Sequence, residues 1–256
     1  MKRAGTNLWL ELLVLVVAVL AGCSAFEKDP TAKWDADKIY SEAKDEMSAG
    51  NWKKARELLE KLEARFPFGR YAQQAQMEIA YSYYREGESA DAVTACERFL
   101  KLNPNHQNAD YVQYLKGLAL FNDDLGIFGR TFGRDPSYRD PKAMREAFDA
   151  FKELVVRYPN SRYAPDSTAR MNYLVNALAQ SEVNIARYYL TRGAYLAALQ
   201  RAQVAVRDYS GAPASEEALS IMMRAYGSLG MDGLREDTER ILLKNYPNTA
   251  FLKAPQ

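Results

Sequence analysis

Residues 50–67 read GNWKKARELLEKLEARFP, and residues 87–104 read GESADAVTACERFLKLNP. The two are one pattern written 37 residues apart. Each opens on glycine (Gly50, Gly87), carries alanine five residues on (Ala55, Ala92), and closes on proline seventeen residues after the glycine (Pro67, Pro104). A fixed internal spacing of this length predicts stacked helical hairpins, because one hairpin cannot bury its own apolar face. Glycine suits the tight turn between helix A and helix B, where φ becomes positive. Alanine lets helix B approach helix A closely. Proline ends helix B and releases the chain into the next hairpin.

The same spacing recovers the rest of the chain. Counting back from Pro159 gives Lys142, with Ala147 at the small position. From Ser210, which stands where proline is expected, it gives Gly193 and Ala198; from Pro247 it gives Gly230, with Arg235 in place of the small residue. The pattern resembles the tetratricopeptide repeat, whose usual period is about 34 residues. The three additional residues follow each proline. The fold expected is all-α: a right-handed superhelical solenoid of five tetratricopeptide-like hairpins, the degenerate fifth serving as a solvent-facing cap.

Composition agrees. Of 256 residues, 48% are apolar and 26% charged, enough for a sizeable core, and the 14 glycines and 10 prolines collect at repeat boundaries. The net charge of +1 gives no global bias toward nucleic acid.

Residues 1–22 read as a signal peptide: Lys2 and Arg3 precede an apolar run at 12–20 that is too short to span a bilayer. The run ends in Leu20-Ala21-Gly22-Cys23, which resembles a bacterial lipobox. That resemblance implies that Cys23 becomes the acylated mature N-terminus, with Ser24 directing it to the outer membrane. One myristoyl chain supplies a membrane affinity of only about 10⁴ M⁻¹, and the three chains implied here would hold the protein almost permanently. Residues 23–33 form a lipidated tether, and helix 1A is expected over 34–49.

Two irregularities interrupt the repeats. Residues 122–141 insert a loop with three glycines and several arginines between the helices of repeat 3, and Asp140-Pro141 is the N-cap and first residue of helix 3B. Repeat 4 is long, which predicts an extended helix 4A over 163–191.

A search for chemistry finds little. The single histidine, His106, has no partner at ligand spacing and reads as a turn residue. Cys96 reads as a buried thiol. No phosphate loop, nucleophile elbow or Ser/His/Asp set occurs, so no enzyme, cofactor or metal is expected. The groove of the solenoid remains. Tyr111, Tyr114, Leu118 and Phe121 recur at helical spacing in helix 3A. Tyr81 and Tyr84 share a face with Gln74 in helix 2A, beside Arg85, and Tyr40 takes the corresponding place in helix 1A. Each ring could pack between helices, or the set could line a channel for an extended peptide ending in an aromatic residue and a carboxylate. In the C-terminal half, Arg201 stands among Ala197, Ala198, Ala202 and Ala205, a candidate for meeting a partner's carboxylate.

The lipobox, GNWKKA, RFPFGRYAQQ, YSYYR, RFLKLNP, YRDP, RYPNSRY and TRGAY, in this order, resemble the BamD (ComL/YfiO-type) family of outer-membrane assembly lipoproteins. The resemblance spans nearly all the mature chain. It implies a scaffold on the periplasmic face of the outer membrane. The partners it implies are the periplasmic domains of the BamA-type barrel insertase, accessory assembly lipoproteins, and unfolded outer-membrane proteins recognised through their C-terminal signals. Residues 34–121 would then form a substrate groove and residues 142–256 a partner-binding half. A periplasmic adaptor for cell-wall or division proteins is the alternative use of such a solenoid.

Overall fold

The computed structural model describes residues 29–123 and 140–252. Cys23, the signal segment and most of the 122–141 insertion lie outside them. Ten helices occur among the described residues: α1 (Ala36–Ser48), α2 (Trp52–Arg65), α3 (Arg70–Glu86), α4 (Ser89–Leu102), α5 (Ala109–Asp123), α6 (Pro141–Arg157), α7 (Ala164–Thr191), α8 (Tyr195–Asp208), α9 (Ser215–Ser228) and α10 (Asp232–Asn245). Paired in order, they are the A and B helices of five hairpins.

The turn chemistry repeats as its residues require. Gly87 ends α3 at φ +83°, a conformation that would strain any residue with a Cβ. Gly50, Gly193 and Gly230 share it in the other A-to-B turns. In each, the residue after the glycine donates its N–H back to a carbonyl five residues earlier: Asn51 to Glu46, Glu88 to Tyr83, Ala194 to Tyr189 and Met231 to Tyr226, at 2.9–3.0 Å. This closure satisfies carbonyls that the helix end would otherwise leave open. In repeat 3, Asp140 caps α6 by accepting the Lys142 N–H at 2.9 Å, with Pro141 first in the helix.

The B helices end in one conformation. Phe66, Asn103, Tyr158 and Tyr246 precede the prolines at φ near −130° and ψ of 57–71°. Tyr209 does the same before Ser210, with φ −125° and ψ 41°, so the stop does not depend on proline.

The small positions are closed contacts. Ala55, Ala92, Ala147 and Ala198 are at most 1% exposed. In repeat 5 the small residue has moved to the opposite helix: a Cβ on Gly227 of α9 would stand 3.2 Å from Arg235 Cδ. Gly117 in α5 does comparable work, since a Cβ there would lie 2.5 Å from the buried Phe151 ring.

Two boundaries shift from expectation. Helix α1 starts at Ala36, because Asp35 accepts the Lys38 N–H at 2.9 Å and sets the N-cap there. Helix α5 continues to Asp123, so the insertion begins two residues later than residue 122. The last helix faces solvent with apolar side chains: Leu234 and Ile241 are each 48% exposed on α10, beside Met231. The extended helix 4A is present as the 28 residues of α7.

Successive A helices touch along the stack (α1 with α3, α3 with α5, α7 with α9), whereas B helices of neighbouring repeats do not pack together to a comparable extent. The A helices therefore line the inner, concave side. Among the described residues no helix is long and apolar enough to cross a membrane.

Candidate functional site

The concave side holds a cleft of about 610 Å³ where α3, the start of α5 and the start of α7 meet. Gln74, Met77 and Glu78 come from α3, Asp110 and Tyr111 from α5, and Ser161, Arg162 and Tyr163 from the turn into α7. Its floor is largely polar and its flank aromatic, with the Tyr111 and Tyr163 rings 5.8 Å apart. Burial pushes the Tyr111 phenol well above its ordinary pKa, so it remains a neutral hydrogen-bonding group. Ser161 donates its hydroxyl to Asp110 at 2.6 Å and fixes the α7 turn against α5.

Glu78 is the hub of the neighbouring helices. One of its oxygens accepts from Lys44 at 2.8 Å, Gln74 at 3.2 Å and the Tyr40 hydroxyl at 3.5 Å. Desolvation first, and then the Glu78 charge, raise the Tyr40 phenol to about 12. Tyr40 and Gln74 thus bridge α1 and α3 while bordering the groove.

The remaining aromatic residues separate into two assemblies. Arg85 lies 4.7 Å over the Trp52 ring and donates to the Tyr81 hydroxyl at 2.8 Å. Tyr81 meets Trp52 edge-on at 6.0 Å and Tyr84 at 6.5 Å, and it packs against the cores of repeats 1 and 2. In the second assembly, Tyr114 stacks on Tyr163 at 4.7 Å and donates to Asp166 at 2.6 Å. Burial and then the Asp166 bond lift the Tyr114 phenol to about 12. Phe121 sits 5.7 Å from Tyr173 and 6.2 Å from Phe151, under the Arg170 guanidinium. Tyr114 and Phe121 therefore contact α7 as much as they border the groove. Of the eight groove residues read from the sequence, Gln74 and Tyr111 line the cleft itself.

Sequence reading did not bring forward Glu78, Arg162 and Tyr163. A signal for the last two existed: Arg162-Tyr163-Ala164 repeats Arg70-Tyr71-Ala72 at the equivalent entry to helix A. Arg201 is not free, since it donates to Glu182 at 3.1 Å; that carboxylate is 6% exposed, while nearly half of the Arg201 side chain stays accessible. Cys96 is fully buried and burial raises its thiol to about 12, as befits an inert packing residue. His106 is a turn staple, edge-on to Phe99 at 5.3 Å and accepting the Asn108 N–H at 3.1 Å.

A helical-repeat solenoid whose concave face carries an aromatic-flanked, polar-floored cleft is a protein-binding scaffold by class. Residues 32–241 match the family model YfiO, described as outer membrane lipoprotein, and the chain belongs to that family. It is 46% identical over 245 residues to the outer membrane protein assembly factor BamD of Neisseria meningitidis serogroup B, covering 95% of this chain and 92% of that protein. To the BamD of Vibrio cholerae it is 37% identical, covering 91% of this chain and 96% of that one. The corresponding figures for the Haemophilus influenzae protein are 30%, 95% and 96%.

Proposed function

We propose that this chain is a lipid-anchored scaffold of outer-membrane protein assembly, held by an acylated Cys23 on the periplasmic face. Its family and its relatives make it an outer-membrane protein assembly factor. Its N-terminal half receives the extended C-terminal segments of unfolded barrel proteins. Repeats 4 and 5 engage the periplasmic domains of the barrel insertase.

The observation that carries the groove reading is the concave cleft between α3, α5 and α7. An extended peptide needs hydrogen-bonding side chains for its backbone and flat apolar walls for alternate side chains, and the cleft offers both. Its charge sets the polarity of docking. Glu78, which accepts from Gln74, would repel a terminal carboxylate there, so the peptide's C-terminus belongs at Arg162, the cation among the lining residues. On the partner side, α10 exposes Leu234 and Ile241 where a closed solenoid would present polar residues, and Arg201 keeps donors free beyond its bond to Glu182.

Two experiments test this reading. Cys23→Ala should abolish retention in the outer-membrane fraction once the partner complex is dissolved, and persistent retention would contradict the anchor. A peptide with alternating apolar residues and a C-terminal aromatic carboxylate should bind the wild-type chain and lose affinity when that carboxylate is amidated. Equal affinity of the amide would contradict the role given to Arg162.

A further inference from the structure

All five B helices carry a cation in their last turn: Arg65, Lys101, Arg157, Arg207 and Lys244. Of the five A helices only α3 does, through Arg85. Helix-dipole compensation favours cations at every helix C-terminus, A and B alike. The asymmetry therefore belongs to one edge of the solenoid, the edge made by the B-to-A loops.

In repeats 1 and 2 this basic edge is also apolar and open. Phe68, in the first loop, is 89% exposed, and Leu102, the last residue of α4, is 59% exposed. Arg70 lies over the Tyr71 ring at 4.8 Å and donates to its hydroxyl, which in turn donates to Asp37. Lys101 has no ion-pair partner among the described residues. Between the two loops lies an open cleft of about 560 Å³, lined by Arg70, Gln73, Asn103 and His106. Because His106 Nδ1 accepts the Asn108 N–H, its Nε2 is the proton-bearing donor.

The chain enters the fold at this same edge. Arg65 donates to the main-chain carbonyls of Thr31, Ala32 and Trp34 at 2.6, 3.0 and 2.7 Å, and Lys61 pairs with Asp29 at 3.1 Å. Five residues lie between Cys23 and Asp29, and the six steps between them span at most about 22 Å. An acylated Cys23 would therefore hold the loops of repeats 1 and 2 close to lipid.

We propose that the B-to-A loop edge of repeats 1 and 2 is a membrane-contact surface for anionic phospholipid. Phe68 and Leu102 enter the headgroup boundary, and Arg70 and Lys101 meet the phosphates. The proposal takes from the Cys23 reading only the proximity the anchor supplies; the contact itself is a property of these side chains. Its consequence is orientation: a single-point lipid anchor alone leaves the groove free to tumble, whereas this contact fixes one edge of it against the bilayer.

The test uses the full mature chain with Cys23→Ala, which carries no acyl group, floated at low salt with vesicles containing phosphatidylglycerol or made of phosphatidylcholine alone. Binding should favour the anionic vesicles and fall at least about tenfold in the pair Arg70→Glu, Lys101→Glu. It should also fall in Phe68→Ser. The pair Lys53→Glu, Arg192→Glu, exposed cations on the opposite edge, should bind like the parent. Equal binding to both vesicles, unchanged binding of the loop-edge variants, or equal losses from the opposite edge would each overturn the proposal. All the substituted positions are exposed, and thermal unfolding of each variant verifies its fold. Failure of the anchor reading would show separately, as wild-type protein extracted from membranes without the mass of acyl chains.

Discussion

Repeats 1 to 3 and repeats 4 to 5 use one backbone plan with two kinds of core. In the first half, Leu59, Leu62, Phe99 and Phe151 are fully buried, and aromatic residues are wedged between successive A helices. In the second, the interior of α7, α8 and α9 is Ala179, Ala186, Ala198, Ala202, Ala205 and Ala218, with Val183 and Ile221. Large side chains hold helices apart, and half-buried rings then border an open groove. Alanines bring helix backbones together and leave little inside for a ligand to use, so the docking proposed for that half rests on the exposed surface of α10 and its surroundings. One repeat unit can thus serve a groove and a docking face through side-chain size alone.

Truncation breaks this comparison most strongly. Phe151→Ala should destabilise the chain by about 3–5 kcal/mol, since it removes a fully buried ring that Gly117 is shaped to receive. In the second half the damaging change is the reverse: Ala202→Leu should cost about 1–3 kcal/mol by overpacking, while Ala202→Gly costs about 1 kcal/mol. Chemical denaturation of the three variants measures this. A Phe151→Ala cost no larger than that of Ala202→Gly, with Ala202→Leu tolerated, would erase the contrast.

Arg201 sharpens it further. Arg201→Glu sets a second carboxylate beside the buried Glu182 and should cost about 1–3 kcal/mol before any partner is considered. Arg201→Lys should retain most of that stability. Loss of insertase co-purification by a stable Lys variant marks a binding residue, because lysine lacks the planar fork that could serve Glu182 and a partner together. Full recovery with the Lys variant and loss with Glu alone marks a purely internal role.

The smallest effect is alkaline. Tyr40 and Tyr114 ionise near 12 in the fold against about 10 when unfolded. Their protonated forms contribute stability that is complete below about pH 10 and is lost as pH rises toward 12. Phenolate absorbance should resolve a late-titrating set of tyrosines, and Tyr114→Phe should shrink it. A single titration near 10 would contradict the burial described for these rings.

The backbone plan was legible in the sequence because its signals are local. Glycine at the A-to-B turn, alanine five residues on and a stop seventeen residues on each act within a few residues of where they stand. The groove was legible only in part. Tyr111 and Tyr114 are three residues apart in one helical stripe, yet Tyr114 is covered by Tyr163 and Asp166, which arrive from about fifty residues away on α7. The Glu78 hub and the Arg201–Glu182 pair likewise join different helices, so no pattern within one helix could announce them. The exposed apolar face of α10 was not legible either, because the degenerate pattern of the fifth repeat marks only a solvent-facing cap.

The central claim is that the open cleft of the first half, and not its packed aromatics, receives the peptide. Titrating a C-terminal barrel-strand peptide into Tyr111→Ala, Arg162→Ala, with thermal unfolding in parallel, tests it most directly. The account predicts a folded double variant whose affinity drops at least about tenfold, as loss of an aromatic anchor with a charged contact requires. A folded double variant that binds the peptide as tightly as wild type would contradict it.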